Sequence, residues 1–147
     1  MTKPNKEVAV QLAGRSGYFP TRHFCLFLSR ISAGFPSPAD DYIDRALDLN
    51  ELLVTNPPAT FFVRVDGPSL IEDGVFPGDI LSVDRSLQPV HGDKVVAVVN
   101  GELTVKELSL SPLRLLPRNK DFQPIDLHEH DDFEIIGVVK GLVRVFR

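Results

Sequence analysis

From residue 60 onward the pattern of apolar and polar positions turns to short strand-like runs separated by turn residues. Thr60 to Asp66 alternates around Phe61, Val63 and Val65, the period of a strand with one buried face. Pro77-Gly78 forms a turn that leads into a strand from Asp79 to Val83. His91-Gly92-Asp93 introduces Lys94 to Val99, and Asn100-Gly101 returns the chain through Glu102 to Leu108. Asn-Gly between two β-rich runs is a strong hairpin signal, because both central residues of the tight turn take positive φ. Leu113 to Leu116 and Phe133 to Phe146 complete a series of about seven short strands, which describes a compact, antiparallel, mostly-β fold.

The region before residue 60 reads differently. Asp48, followed three residues later by Glu51, resembles a capping box opening one short helix, Leu49 to Thr55, which Asn56-Pro57-Pro58 stops. Two prolines in Gly34-Phe35-Pro36-Ser37-Pro38 exclude regular helix and favour extended backbone. Met1 to Ser32 has no sustained helical or strand period and reads as a flexible N-terminal arm.

At 147 residues the chain fits one compact domain with a short arm, and 43% hydrophobic residues suffice for a core. Its longest apolar runs, such as Ile135-Ile136-Gly137-Val138-Val139, fall far short of the roughly 20 residues that span a bilayer. Met1 to Val10 is too polar for a signal peptide, so the expected location is the cytoplasm. A single cysteine, Cys25, makes no internal disulfide and reads as a small apolar residue, with a reactive thiol as the alternative. The net charge of −4 argues against nonspecific DNA binding by the whole chain. The charge is uneven: residues 1–33 sum to +4 and the remainder to −8. A basic arm on an acidic body either docks on that body or a dimer mate, or is a solvated tail.

Two residues are candidates for chemistry. Ser69 lies just past a strand in Asp66-Gly67-Pro68-Ser69-Leu70-Ile71-Glu72-Asp73-Gly74, where Gly67 and Gly74 let the backbone bend and present a hydroxyl at a cleft. The same Ser69-to-Glu72 spacing also fits an ordinary helix cap. Lys106 follows 37 positions later in Leu103-Thr104-Val105-Lys106-Glu107-Leu108. A strand lysine is either a solvated outward residue or, if buried, a general base whose pKa has dropped from about 10.4 towards neutrality. No histidine has a triad-like context, which favours Ser–Lys over Ser–His–Asp. His128-Glu129-His130-Asp131-Asp132 reads as a solvated loop rather than a metal site.

Three segments in order resemble the LexA/UmuD-type self-cleaving Ser–Lys family. Ala33-Gly34-Phe35-Pro36-Ser37-Pro38-Ala39-Asp40-Asp41-Tyr42 resembles the family's cleavage site and the segment after it. Gly67-Pro68-Ser69-Leu70, with Asp73-Gly74 and Pro77-Gly78-Asp79-Ile80-Leu81-Ser82-Val83-Asp84, resembles the nucleophile region. Leu103-Thr104-Val105-Lys106 resembles the strand that carries the base, and Gly137-Val138-Val139 the closing strand. The similarity runs from about Ile31 to the end of the chain.

The resemblance implies a LexA C-terminal-like β fold at 34–147 and an arm at 1–33 that is removed by self-cleavage. Ser69 would attack the Ala33 carbonyl, splitting Ala33–Gly34 within the chain or across a dimer, with Lys106 taking the hydroxyl proton. It further implies stimulation by a RecA filament on single-stranded DNA. The trimmed homodimer would serve a UmuC-like Y-family polymerase in SOS translesion synthesis. No cofactor, metal, membrane or sequence-specific DNA contact is implied. A LexA-type repressor would need a helix-turn-helix domain before the cleavage site, and no two-helix pattern precedes Gly34. Leader peptidases share the Ser–Lys chemistry but are membrane-anchored.

One departure stands out. The family carries a non-proline residue before the serine and methionine after it, where this chain has Pro68 and Leu70. Leucine keeps its position apolar. Proline removes a backbone N–H that resembles an oxyanion-hole donor in the family, and losing one such donor costs about 10²–10³ in rate. Two readings therefore stay open: a self-cleaving protein, and a non-catalytic module that keeps only the partner contacts.

Overall fold

The computed structural model describes residues 10–15, 24–27, 43–127 and 132–147. Ten strands and one helix are present among them: β1 Val10–Arg15, β2 Phe24–Phe27, β3 Ile43–Leu47, α1 Leu49–Leu53, β4 Thr60–Val65, β5 Ile80–Asp84, β6 Lys94–Val99, β7 Glu102–Leu110, β8 Leu113–Leu116, β9 Ile125–Asp126 and β10 Phe133–Val143. The mostly-β antiparallel class is as expected from the series of short strands and turns. Eight strands form one sheet in the order β1-β4-β5-β10-β6-β7-β8-β9, and β2 pairs with β3. Every one of these pairings is antiparallel.

Several expected elements form for the anticipated reasons. Asp48 caps α1, its carboxylate accepting the Asn50 N–H at 2.8 Å. The helix ends at Leu53, two residues earlier than the Asn-Pro-Pro stop alone suggested. Asn100 and Gly101 take φ of 49° and 80°, and Val99 pairs directly with Glu102 across them, as a two-residue tight turn requires.

Other features exceed the sequence reading. Two stretches of the N-terminal region form strands: β1 pairs with β4 from Val10↔Val65 to Arg15↔Phe61, and β2 pairs with β3. Leu12 and Gly14 flank a bulge in β1, which breaks the alternation that would have marked the strand. β10 stops at Val143 rather than Phe146, and β9 is a further short strand.

Consecutive residues on a strand face opposite sides, and both sides here are apolar. Val96 and Val105 join Val63, Leu70, Leu81 and Val83 in one buried cluster. Val95 and Ala97 alternate with Val96 and join Leu108, Leu115 and Val138 in a second. β7 therefore runs between two cores. β10 crosses the sheet centre, pairing with β5 and β6, and bulges between Ile135 and Gly137. An added Cβ at Gly137 would lie 2.7 Å from Val83 Cγ1 and 3.0 Å from the Asp84 carbonyl oxygen, so only glycine lets these strands approach so closely.

Candidate active site

Ser69 sits in the loop between β4 and β5. Its hydroxyl does not cap a helix: the 3-10 turn after it, Ile71–Asp73, starts from Leu70 and receives no side-chain cap. Gly74 closes that turn at φ 78°, a left-handed conformation that favours glycine. The chain thus bends away, leaving the Ser69 side chain pointed at β7. Ser69 Oγ donates to the Val105 carbonyl oxygen at 3.3 Å and lies 3.1 Å from Lys106 Nζ.

Lys106 is not an outward strand residue. In the β6–β7 ladder it pairs with Val95, and Thr104 pairs with Ala97, so both share the face of the second apolar cluster. Lys106 is 6% exposed and Ser69 3%. Nζ also reaches Thr104 Oγ1 at 2.7 Å and the Val105 carbonyl oxygen at 3.2 Å. Its described partners are thus three neutral oxygens, with no carboxylate to hold the charge. Burial accordingly lowers the Lys106 pKa from 10.5 to about 8. Nζ donates to all three oxygens, Ser69 Oγ included. Once neutral, it keeps two N–H groups for Thr104 and Val105, and turning the Ser69 O–H from the Val105 carbonyl to Nζ sets the hydroxyl proton against the lone pair.

A cavity of about 440 Å³ opens over the pair, lined by Gly67, Ser69, Val99, Asn100, Glu102, Leu103, Thr104, Lys106, Phe122 and Ile125. Its walls come from the loop after β4, from the β6–β7 hairpin, and from the segment carrying β9. β8 pairs only with Glu107–Leu110 of β7, so among the described residues the Glu102–Lys106 half of that strand has no sheet neighbour on the cavity side. Such an edge, beside a hydroxyl and an amine poised to be neutral, can receive an extended peptide and attack one of its carbonyls.

Residues 26–140 match the Peptidase S24-like family. The chain belongs to that family. S24 relatives with most of their length in common include Protein MucA of Salmonella typhimurium, 44% identical over 88% of this chain and 90% of the relative. Protein ImpA of Salmonella typhimurium is 44% identical over 80% of this chain and 81% of the relative. LexA repressor 1 of Xanthomonas campestris pv. campestris is 40% identical over 96% of this chain and 70% of the repressor. The S24 chain is thus a UmuD/LexA-type protein of a serine peptidase family.

Of the positions singled out in the sequence, Ser69 and Lys106 come together, 37 residues apart in the chain. Ala33 and Gly34 lie outside the described residues, as do His128, Glu129, His130 and Asp131. Cys25 lies in β2, in register with Ala46. Among the described residues no cluster of metal-ligating side chains occurs, and no helix is long and apolar enough to cross a membrane. Thr104 escaped the sequence reading, although a period of two places it on the same face as Lys106. Asn119, whose amide donates to the Pro68 carbonyl oxygen at 2.9 Å, carried no local signal at all.

Proposed function

We propose that this S24 chain cleaves itself at Ala33–Gly34, with Ser69 as nucleophile and Lys106 as general base. The observation that carries the reading is the 3.1 Å approach of Ser69 Oγ to a buried lysine that lacks a described counter-charge. Neutral Lys106 takes the hydroxyl proton as Ser69 Oγ bonds to the Ala33 carbonyl carbon. The tetrahedral intermediate collapses, the C–N bond breaks, and the amine of Gly34 leaves with the proton from Lys106. Water, deprotonated in turn by Lys106, then attacks the acyl-serine and frees a carboxylate at Ala33. Because the substrate is tethered, proximity replaces much of the binding energy that a free substrate would have to supply.

The relatives support a wider setting for this reaction, the SOS response to DNA damage. A RecA filament on single-stranded DNA favours the docked arm, a shift between two conformational populations. The trimmed protein, a homodimer, joins a UmuC-like Y-family polymerase for translesion synthesis. Exposed Leu142, Val143, Val145 and Phe146 supply an apolar surface for self-association, and a monomeric mass in sedimentation would remove the dimer from this scheme. Pro68, which lacks an N–H, favours a second reading, a partner-binding module that does not cleave.

Incubating the full chain and its Ser69→Ala variant with RecA-coated single-stranded DNA, followed by intact mass, separates the two. Fragments ending at Ala33 and beginning at Gly34, absent from Ser69→Ala, are the expected result. An intact, folded native chain under the same conditions would leave only the module.

A further inference from the structure

The turn that bears Ser69 is held by a segment from far along the chain. Arg118 and Asn119, just past β8, make three hydrogen bonds to it: Arg118 N–H to the Ser69 carbonyl oxygen at 2.7 Å, Glu72 N–H to the Arg118 carbonyl oxygen at 2.9 Å, and Asn119 Nδ2 to the Pro68 carbonyl oxygen at 2.9 Å. Arg118 also grips Glu107, the neighbour of Lys106 on β7, through Nε at 2.9 Å and a second nitrogen at 2.5 Å. The same two residues therefore tie the nucleophile's turn to the strand of the base.

The Asn119 side chain is fixed from both ends. It is buried, its Oδ1 accepts the Asp121 N–H at 3.0 Å, and its amide nitrogen consequently faces the Pro68 carbonyl. The Pro68–Ser69 peptide is trans, so its N–H points opposite to its carbonyl. Asn119 holds that carbonyl at 2.9 Å together with the Ile71 N–H at 3.3 Å, and so turns the Ser69 N–H away from both. No acceptor for that N–H occurs among the described residues, and Ser69 itself lines the cavity. Since Pro68 has no N–H to contribute, the orientation of this one donor matters more here.

We propose that Asn119 is a positioning residue, which by holding the Pro68 carbonyl aims the Ser69 N–H at the oxyanion formed during self-cleavage. The inference rests on the self-cleavage reading and adds a residue to it. Asn119→Asp keeps the shape and the Asp121 bond but sets an oxygen against the Pro68 carbonyl. Asn119→Ser, smaller and uncharged, removes the same donor should the aspartate variant fail to fold.

The test uses the full chain, labelled with ¹⁵N, and N-acetyl-1-aminoethylboronic acid, the boronate counterpart of an alanine residue. Ser69 Oγ adds to the trigonal boron, its proton passes to Lys106, and a tetrahedral anion forms. In the native chain the Ser69 amide proton should move downfield on addition. In a folded Asn119 variant that shift should be lost while the boronate still adds, a change that general loosening of the fold would not select. Self-cleavage of either variant should be slower by about 10²-fold, as for a lost oxyanion donor, with the pH midpoint unmoved in the uncharged Asn119→Ser. A folded variant that keeps the amide shift or cleaves at the native rate, or an Asn119→Ser midpoint that moves, would overturn the proposal. If the native chain never cleaves, the proposed function falls, and the amide shift alone decides the role of Asn119. No shift in the native chain overturns that role too.

Discussion

Lys106 and Asp79 are both buried ionisable groups whose pKa lies below its ordinary value, yet the two sites do opposite things. Asp79 is 1% exposed, and its carboxylate accepts Arg144 Nε and a terminal Arg144 nitrogen, each at 2.6 Å, and the Phe76 N–H at 2.8 Å. The Arg144 hydrogen bonds hold its carboxyl below the usual carboxylate range, which favours the ion. Arg144 also donates to the Gly74 carbonyl oxygen at 2.7 Å and stacks over Phe76, so the pair fastens the segment after β10 to the turn that follows Ser69. Among the described residues Lys106 has no such partner, and burial favours its neutral form. The paired Asp79 keeps its charge and serves the scaffold; Lys106, without a counter-charge among the described residues, is poised to lose its proton.

Substituting each site should break this contrast in a different direction. Lys106→Arg keeps the positive charge but never offers a lone pair, so self-cleavage should fall by ~10³-fold or more at every pH, the scale of general-base catalysis. Intact mass over time checks this, and near-native cleavage by the arginine variant would remove Lys106 from the role of base.

Lys106→Met, which replaces the amine with an apolar chain, should instead stabilise the fold at pH 7. The gain should be at most about 3 kcal/mol, at ~1.4 kcal/mol per pKa unit. The folded pKa, about 8, lies below the unfolded 10.5, so between them the unfolded chain binds the extra proton. Native stability therefore rises with pH across that window, and the gap to Lys106→Met should narrow from pH 8 towards 10.5. Urea unfolding at both ends of the window measures it; a gap that does not change would mean Lys106 is not desolvated.

Asp79→Asn should have the smaller effect and the opposite sign, a loss of about 2 kcal/mol at pH 7 from hydrogen bonds to a charged group. The folded pKa of Asp79 lies below 3.8, so its contribution is complete above that value and is lost as pH falls through the folded pKa. The native and variant unfolding curves should converge in acid. Curves that stay equally far apart would show that Asp79 acts through shape rather than charge.

How much of the molecule was legible in the sequence depends on the range of the interaction concerned. The β6–β7 hairpin was legible because its turn chemistry sits in Asn100-Gly101 itself. β4 was legible because its alternation around Phe61, Val63 and Val65 is local. β1 was not: its pattern breaks at Gly14, and pairing with β4, some fifty residues away, decides its conformation. Ser69 and Lys106 were ambiguous from their neighbours, each with an ordinary surface or capping role available. Only the ordered set of family-like segments joined them. Asn119 and Arg144 were invisible because their partners, Pro68 and Asp79, lie 51 and 65 residues away. No period or spacing in a single chain encodes such pairs.

The pH dependence of the native chain's self-cleavage rate, followed from pH 6 to 11 beside Ser69→Ala, tests the Ser–Lys pair most directly. The rate should rise with pH through a midpoint of about 8 and then level off, as a buried Lys106 loses its proton, and Ser69→Ala should stay intact throughout. A native rate that is flat across this range, or fragments that persist in Ser69→Ala, would contradict it.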